Sequence, residues 1–272
     1  MRFWTRSSGS CCKVPDLGQD LTGCAELLRR GDPDRFRAAM AAPVAARRVL
    51  FPIYAFNVEV SRAPWMTQEA LIAEMRLQWW RDALEEIAAG GKVRRHEVVT
   101  PLADVLDAQG AKLLDDLIVA RGWDIYREPF EDDAHLTRYL EQTSGNLMLA
   151  AGRALGEVDE DVVLDAGYGT GVAAWLRAIP ALEEAGRIPL LDGRPEGIRA
   201  LAEDGQRRLT AARSQRHKIG AEARPAMLAA WQAGGILRRA AAHPALVVNG
   251  GLEPRPIRSA LGLLMRSTTG RW

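Results

Sequence analysis

The residues best equipped for chemistry in this chain are its carboxylates, and their spacing decides what they can do. Two carboxylates three or four residues apart share one helix face and can hold a hard divalent cation through oxygen ligands. The candidate carboxylates are the pairs Asp115-Asp116, Asp132-Asp133 and Glu183-Glu184, and Glu59. The first two pairs read as solvated helix faces or caps. Glu183-Glu184 sit at a helix end before Gly186. The four histidines (His96, His135, His217, His243) are scattered. The three cysteines, Cys11, Cys12 and Cys24, form neither a zinc spacing nor a disulfide framework, which fits a reducing compartment.

Of the 272 residues, 47% are hydrophobic and 26% charged, enough for a sizeable core. The net charge of +1 lacks the basic excess of a general nucleic-acid binder, so no nucleic-acid partner is expected. No apolar run reaches the roughly 18 residues of a transmembrane helix. The N-terminal stretch has Arg2, Arg6 and Lys13 but no apolar segment of a secretory signal. Residues 1–16 are expected to be a disordered tail or an extension, a transit-like segment being the alternative. The expected location is the cytoplasm, with a peripheral seat on the inner membrane as its variant.

The elements that must position any site read as helix after helix. Asp16 or Asp20 can cap a first helix carrying Leu17, Leu21, Cys24 and Leu28, stopped by Gly31. Asp32-Pro33 starts a second and Pro43 a third, running to about Val60. Thr67 is the expected N-cap of a helix to Ala89. Its stripe is Ile72, Met75, Trp79, Ala83 and Ile87, widened by Leu77, Trp80 and Leu84. Helical patterns continue through Leu102–Leu106, Leu113–Trp123, Leu136–Leu155, Val158–Leu182, Ile198–Ala212 and Ala221–Ala242. No alternating strand pattern, repeat or low-complexity linker appears. The expectation is one all-α domain over 17–248 and a C-terminal tail over 249–272. The tail, with Ile257, Leu261, Leu264 and Met265 among arginines, reads equally as a packing element or a membrane-surface helix.

One stretch points elsewhere. Asp165-Ala166-Gly167-Tyr168-Gly169-Thr170-Gly171 resembles the first motif of S-adenosylmethionine-dependent methyltransferases, where glycines let backbone approach the cofactor. Its flanks are helical, with no βα alternation around them. The glycines are therefore expected inside a helix, where they let two helices approach closely.

Two further segments carry a stronger resemblance. Pro52-Ile53-Tyr54-Ala55-Phe56-Asn57-Val58-Glu59-Val60-Ser61-Arg62 and Val172–Pro180, followed by Gly186-Arg187-Ile188, resemble the signature helices of the squalene/phytoene synthases. Asp34-Arg35-Phe36, Gln78-Trp79-Trp80-Arg81 and Tyr139…Gly145 resemble other parts of that family. Ala55–Glu59, Met75–Trp80 and Trp175–Pro180 look closer still to its complex I assembly factor 6-like branch. The resemblance implies an isoprenoid-synthase-type helical bundle. In catalytic members it implies two Asp-rich clusters that hold Mg²⁺ against prenyl diphosphates. At the matching positions this chain has Ser61, Arg62 and Trp65, then Ala178 and Leu182.

That combination implies a non-catalytic protein without metal or cofactor, with no catalytic residue and a protein partner, subunits of respiratory complex I being the expected class. The alternatives are an active head-to-head prenyl transferase with unusual Mg²⁺ ligands, and a binder of a polyprenyl diphosphate or other lipid. Tyr54 and Tyr139 are candidates for the cavity wall or for plain core. Arg81, Arg177 and Arg187 are candidates for phosphate binding. For Arg177 and Arg187, a salt bridge to Glu183, Glu184 or another helix weighs equally. Trp79-Trp80 reads as core packing, with ligand stacking as the alternative.

Overall fold

The computed structural model describes residues 18–253 and 256–272. The expected extension 1–16, with Cys11 and Cys12, lies outside the described residues. Helices follow in the order α1 (Gln19–Gly31), α2 (Pro33–Ala41), α3 (Val44–Arg62), α4 (Ala70–Ala88), α5 (Val99–Ala103), α6 (Ala108–Arg121) and α7 (Asp133–Leu140). Next are α8 (Asn146–Leu155), α9 (Glu160–Glu184), α10 (Pro195–Ser214), α11 (Arg224–Met227), α12 (Ala233–Ala242), α13 (Ala245–Val248) and α14 (Pro256–Thr269). Among the described residues there is no strand, so the fold is all-α.

Local chemistry sets several boundaries. Asp32 accepts a hydrogen bond from the Arg35 N–H and Pro33 fills the first helical position of α2, where a missing N–H costs nothing. Asp107, Asp132 and Asp159 cap α6, α7 and α9 in the same way. Thr67 does not cap α4. Its hydroxyl accepts from the Glu69 N–H one turn early, and Glu69 itself precedes the helix. The expected run over 221–242 breaks into α11, a 3₁₀ turn and α12. Pro225 stands at the start of α11, and Gly234-Gly235, poor helix formers, at the start of α12.

The α4 stripe is also displaced. Its buried line runs through Ala73, Leu77, Trp80, Ala83, Leu84 and Ile87, while Ile72 and Met75 are exposed. An apolar arc wider than its interface does not reveal which edge is covered.

The helix α9 is the axis of the molecule. It packs against α8, α10 and α12, and α10 in turn packs against α12. The methyltransferase-like motif lies wholly inside α9, and its glycines form a seam. A Cβ on Gly167 would stand 2.6 Å from the Gly145 Cα, and one on Gly169 would stand 2.8 Å from the Gly205 carbonyl oxygen. No side chain fits at those separations, so the glycines set how closely the helix backbones meet. Asp165, the acidic residue of the motif, is held by Arg208 at 2.6 Å. A π-turn over Glu141–Gly145 joins α7 to α8 opposite this seam. At the other end of the chain, Leu252, Leu263 and Trp272 pack into the same core as Leu28 and Leu50.

Candidate functional site

A cavity of about 460 Å³ opens between the C-terminal half of α3, the 3₁₀ turn that follows it, the π-turn and α9. Four of the five positions expected to mark a metal site face it. Ser61 and Trp65 come from the α3 side, and Ala178 and Leu182 from α9. The fifth, Arg62, is exposed and does not line the cavity. The periodicity explains the set: Ser61 and Trp65, and Ala178 and Leu182, are each four residues apart, so each pair shares a face.

The polar part of the wall was not legible beforehand. Arg121, at the end of α6, donates to Asp124 Oδ2 at 3.0 Å and to the Tyr139 hydroxyl at 2.7 Å. The Tyr139 hydroxyl donates to Asp124 Oδ1 at 2.8 Å. Asp124 and Tyr139 are buried. Burial, the largest influence, pulls the Arg121 pKa down, but Tyr139 and Asp124 outweigh it and the guanidinium is held above its ordinary value. The Tyr139 phenol is raised, first by burial. The signal available in the sequence was an Arg and an Asp three residues apart around Trp123, a spacing that brings the two together on a helical turn.

Arg35, another charge on the wall, pairs with Asp32 at 2.5 Å. Asn57, Thr143 and Ser144 add polar groups. Thr143 donates to the Tyr139 carbonyl at 2.6 Å, whereas the buried Ser144 hydroxyl has no partner. Trp175 and Tyr139 form the aromatic side, their ring centres 5.3 Å apart, with Trp123 and Phe130 stacked behind them at 4.1 Å.

The remaining expected residues lie elsewhere. Tyr54 is core, its hydroxyl 3.4 Å from the Ala226 carbonyl. Arg177 pairs with Asp34 at 2.9 Å and Glu253 at 3.0 Å, neither of them Glu183 or Glu184. Arg187 is buried, donates to the backbone carbonyls of Asp124 and Tyr126, and lies 5.0 Å over the Trp65 ring. It braces the cavity from behind rather than lining it. Arg81 pairs with Asp115 at 2.7 Å and faces a separate outer groove of about 820 Å³ between α4 and α6. Tyr139 borders both spaces. Trp80 is core, and Trp79 is half-buried with Arg94 4.9 Å over its ring.

An all-α bundle closed around a cavity, with paired positions on two facing helices, is an isoprenoid-synthase-type fold. The solved structures it resembles bear this out. A dehydrosqualene synthase with bound ligand superposes with a TM-score of 0.75, covering 92% of this chain and 96% of that one at 15% identity. Squalene synthase HpnC from Alicyclobacillus acidocaldarius gives 0.64 over 85% and 94% at 18% identity. At these identities the likeness is one of fold. The squalene/phytoene synthase family model matches residues 28–190, and this chain belongs to that family.

Among similar sequences is the complex I assembly factor 6 homolog of Drosophila melanogaster, 30% identical over 178 residues, 61% of this chain and 53% of that protein. Assembly factor 6 of NADH dehydrogenase (ubiquinone) complex I from Homo sapiens is 25% identical over 172 residues, 58% of this chain and 48% of that one. The chain spans about half the length of these curated relatives.

Proposed function

We propose that this chain is a non-catalytic member of its family that acts by binding protein during assembly of respiratory complex I. The observation that carries the proposal is the cavity wall. Where catalytic members are expected to place metal-binding carboxylates, Ser61, Trp65, Ala178 and Leu182 stand. Magnesium needs near-octahedral oxygen coordination, usually with one or two available carboxylates. The carboxylate on this wall, Asp124, is engaged by Arg121 and Tyr139. Among the described residues no three His, Cys, Asp or Glu side chains gather into a metal-sized group. The residues present do not fit a magnesium–diphosphate site.

The relatives named as complex I assembly factors give the proposed partner its class, a subunit or fellow factor of that complex. The exposed end of α4 is the proposed contact surface. Leu71 and Met75 are exposed there and border the outer groove with Val119 and Tyr126. A second reading, a polyprenyl-diphosphate or lipid binder, is supported by the open cavity and its apolar side of Trp65, Trp175 and Leu182.

The test is a deletion in the encoding organism, followed by native-gel activity staining of complex I and by isoprenoid profiling. Loss of assembled complex I with unchanged isoprenoids is expected. Normal complex I with missing squalene- or phytoene-derived products would overturn the proposal in favour of the enzyme.

A further inference from the structure

Many arginines of this chain are matched to carboxylates, Arg94 to Glu86, Arg177 to Asp34 and Glu253, and Arg208 to Glu141 and Asp165 among them. Others among the described residues are not, and three of these stand on α10, α12 and α14. Arg213 of α10, Arg238 of α12 and Arg266 of α14 enter none of the ion pairs among the described residues.

The three converge. A Cβ on Gly234 would lie 2.7 Å from Arg213 Nη1 and 3.5 Å from Arg238 Nη1, so both guanidinium groups flank one point. Gly234 leaves the room that the Arg213 guanidinium occupies. Arg213 reaches only the Ala230 carbonyl, at 3.4 Å, and its buried Nε has no partner. Its pKa is pulled down to about 10, first by burial and then by the charges of Arg266 and Arg238. Arg266 is pulled down by burial and by Arg238. No carboxylate enters either balance. Converging like charges without a counter-charge repel, and an anion between them relieves the repulsion. Guanidinium forks match the paired oxygens of a phosphate.

Beside this cluster α14 presents an unpartnered apolar face. Leu263 is buried against the core, but Leu261, Leu264 and Met265 are 59%, 59% and 67% exposed. Their spacing puts them on one side of the helix. Arg266, half-buried, lies one turn after Leu263, towards the packed side of the helix.

We propose that α14 lies on the surface of an anionic phospholipid bilayer, with Leu261, Leu264 and Met265 entering the acyl-chain boundary and headgroup phosphates pairing with Arg213, Arg238 and Arg266. Charge complementarity selects this occupant. The apolar face alone would fit a protein helix, but a flanking cluster of unmatched arginines fits a surface dense in phosphates. Among the described residues no helix is long and apolar enough to cross a membrane, so the contact is peripheral.

The test floats the full chain with vesicles of pure phosphatidylcholine and of phosphatidylcholine mixed with phosphatidylglycerol. Binding to the mixed vesicles only, weakening with salt, is expected. The double variant Arg238→Gln/Arg266→Gln should bind about 30-fold more weakly, given the usual worth of a basic residue near an anionic membrane. Leu264→Ser/Met265→Ser should also weaken binding, and both variants should melt as the wild type does. Equal flotation with neutral vesicles, no flotation with either, or full binding by the arginine variant overturns the proposal. Displacement from the vesicles by inorganic phosphate, with a rise in melting temperature, overturns it too, because the site then takes the free anion.

Discussion

The wall of the central cavity and the C-terminal arginine cluster hold charge in opposite ways. On the wall every charged side chain has an opposite charge in contact, Arg121 with Asp124 and Arg35 with Asp32. At the C-terminal face Arg213, Arg238 and Arg266 have one another. The contrast separates charge used to hold a fold from charge left available to a ligand. The cavity wall carries the first kind and the C-terminal face the second.

The largest effect expected from breaking this contrast is at Asp124. Asp124→Ala strands a buried guanidinium and should cost about 3–5 kcal/mol of stability. Tyr139→Phe removes one hydroxyl from the same network and should cost about 1 kcal/mol. Urea denaturation measures both. A loss near zero for Asp124→Ala would mean that the network does not close the wall.

The helices behind the wall come next. Gly167→Val drives methyl groups into the Gly145 backbone and should cost about 1–3 kcal/mol or more by the same measurement.

A smaller, pH-dependent effect is expected at Cys24, which is buried with its Sγ 3.4 Å from the Glu97 carbonyl. Burial first, then Glu97 and Asp20, raise its thiol from 9.0 to about 12. A raised folded pKa gives a contribution that is intact below the unfolded value and is lost as pH climbs through the folded one. Stability should therefore fall between pH 9.0 and about 12, by about 1 kcal/mol at pH 10. Cys24→Ala should remove that part of the alkaline slope.

The smallest effect sharpens the comparison from the other side. Arg238→Gln and Arg266→Gln should change stability by no more than about 0.5 kcal/mol, with a gain the direction that relief of repulsion predicts.

How legible all this was depended on range. The helices were readable because their signals are local: Asp32-Pro33 marks a start, and Gly90-Gly91 an end. The glycine run 167–171 was readable as a close helix approach because its flanks are helical, although Gly145 and Gly205, which it meets, lie distant in sequence. Ser61, Trp65, Ala178 and Leu182 could be expected at one cavity only through the resemblance to the squalene/phytoene synthases, since a shared helix face joins each pair but not the two pairs. The partners of Arg177 and Arg187 could not be read. Asp34 and Glu253 come from opposite ends of the chain, and the carbonyls of Asp124 and Tyr126 carry no sequence signal. Ile72 and Met75 were misplaced because periodicity gives an arc and not the neighbour that covers it.

A cavity wall whose carboxylate, Asp124, is engaged by Arg121 and Tyr139 should not support metal-assisted diphosphate chemistry. The most direct test incubates the purified chain with farnesyl or geranylgeranyl diphosphate, Mg²⁺ and NADPH, and extracts the products. No squalene, phytoene or presqualene intermediate above a heat-denatured control is expected. Turnover to any of these, lost in Asp124→Asn, would contradict that expectation.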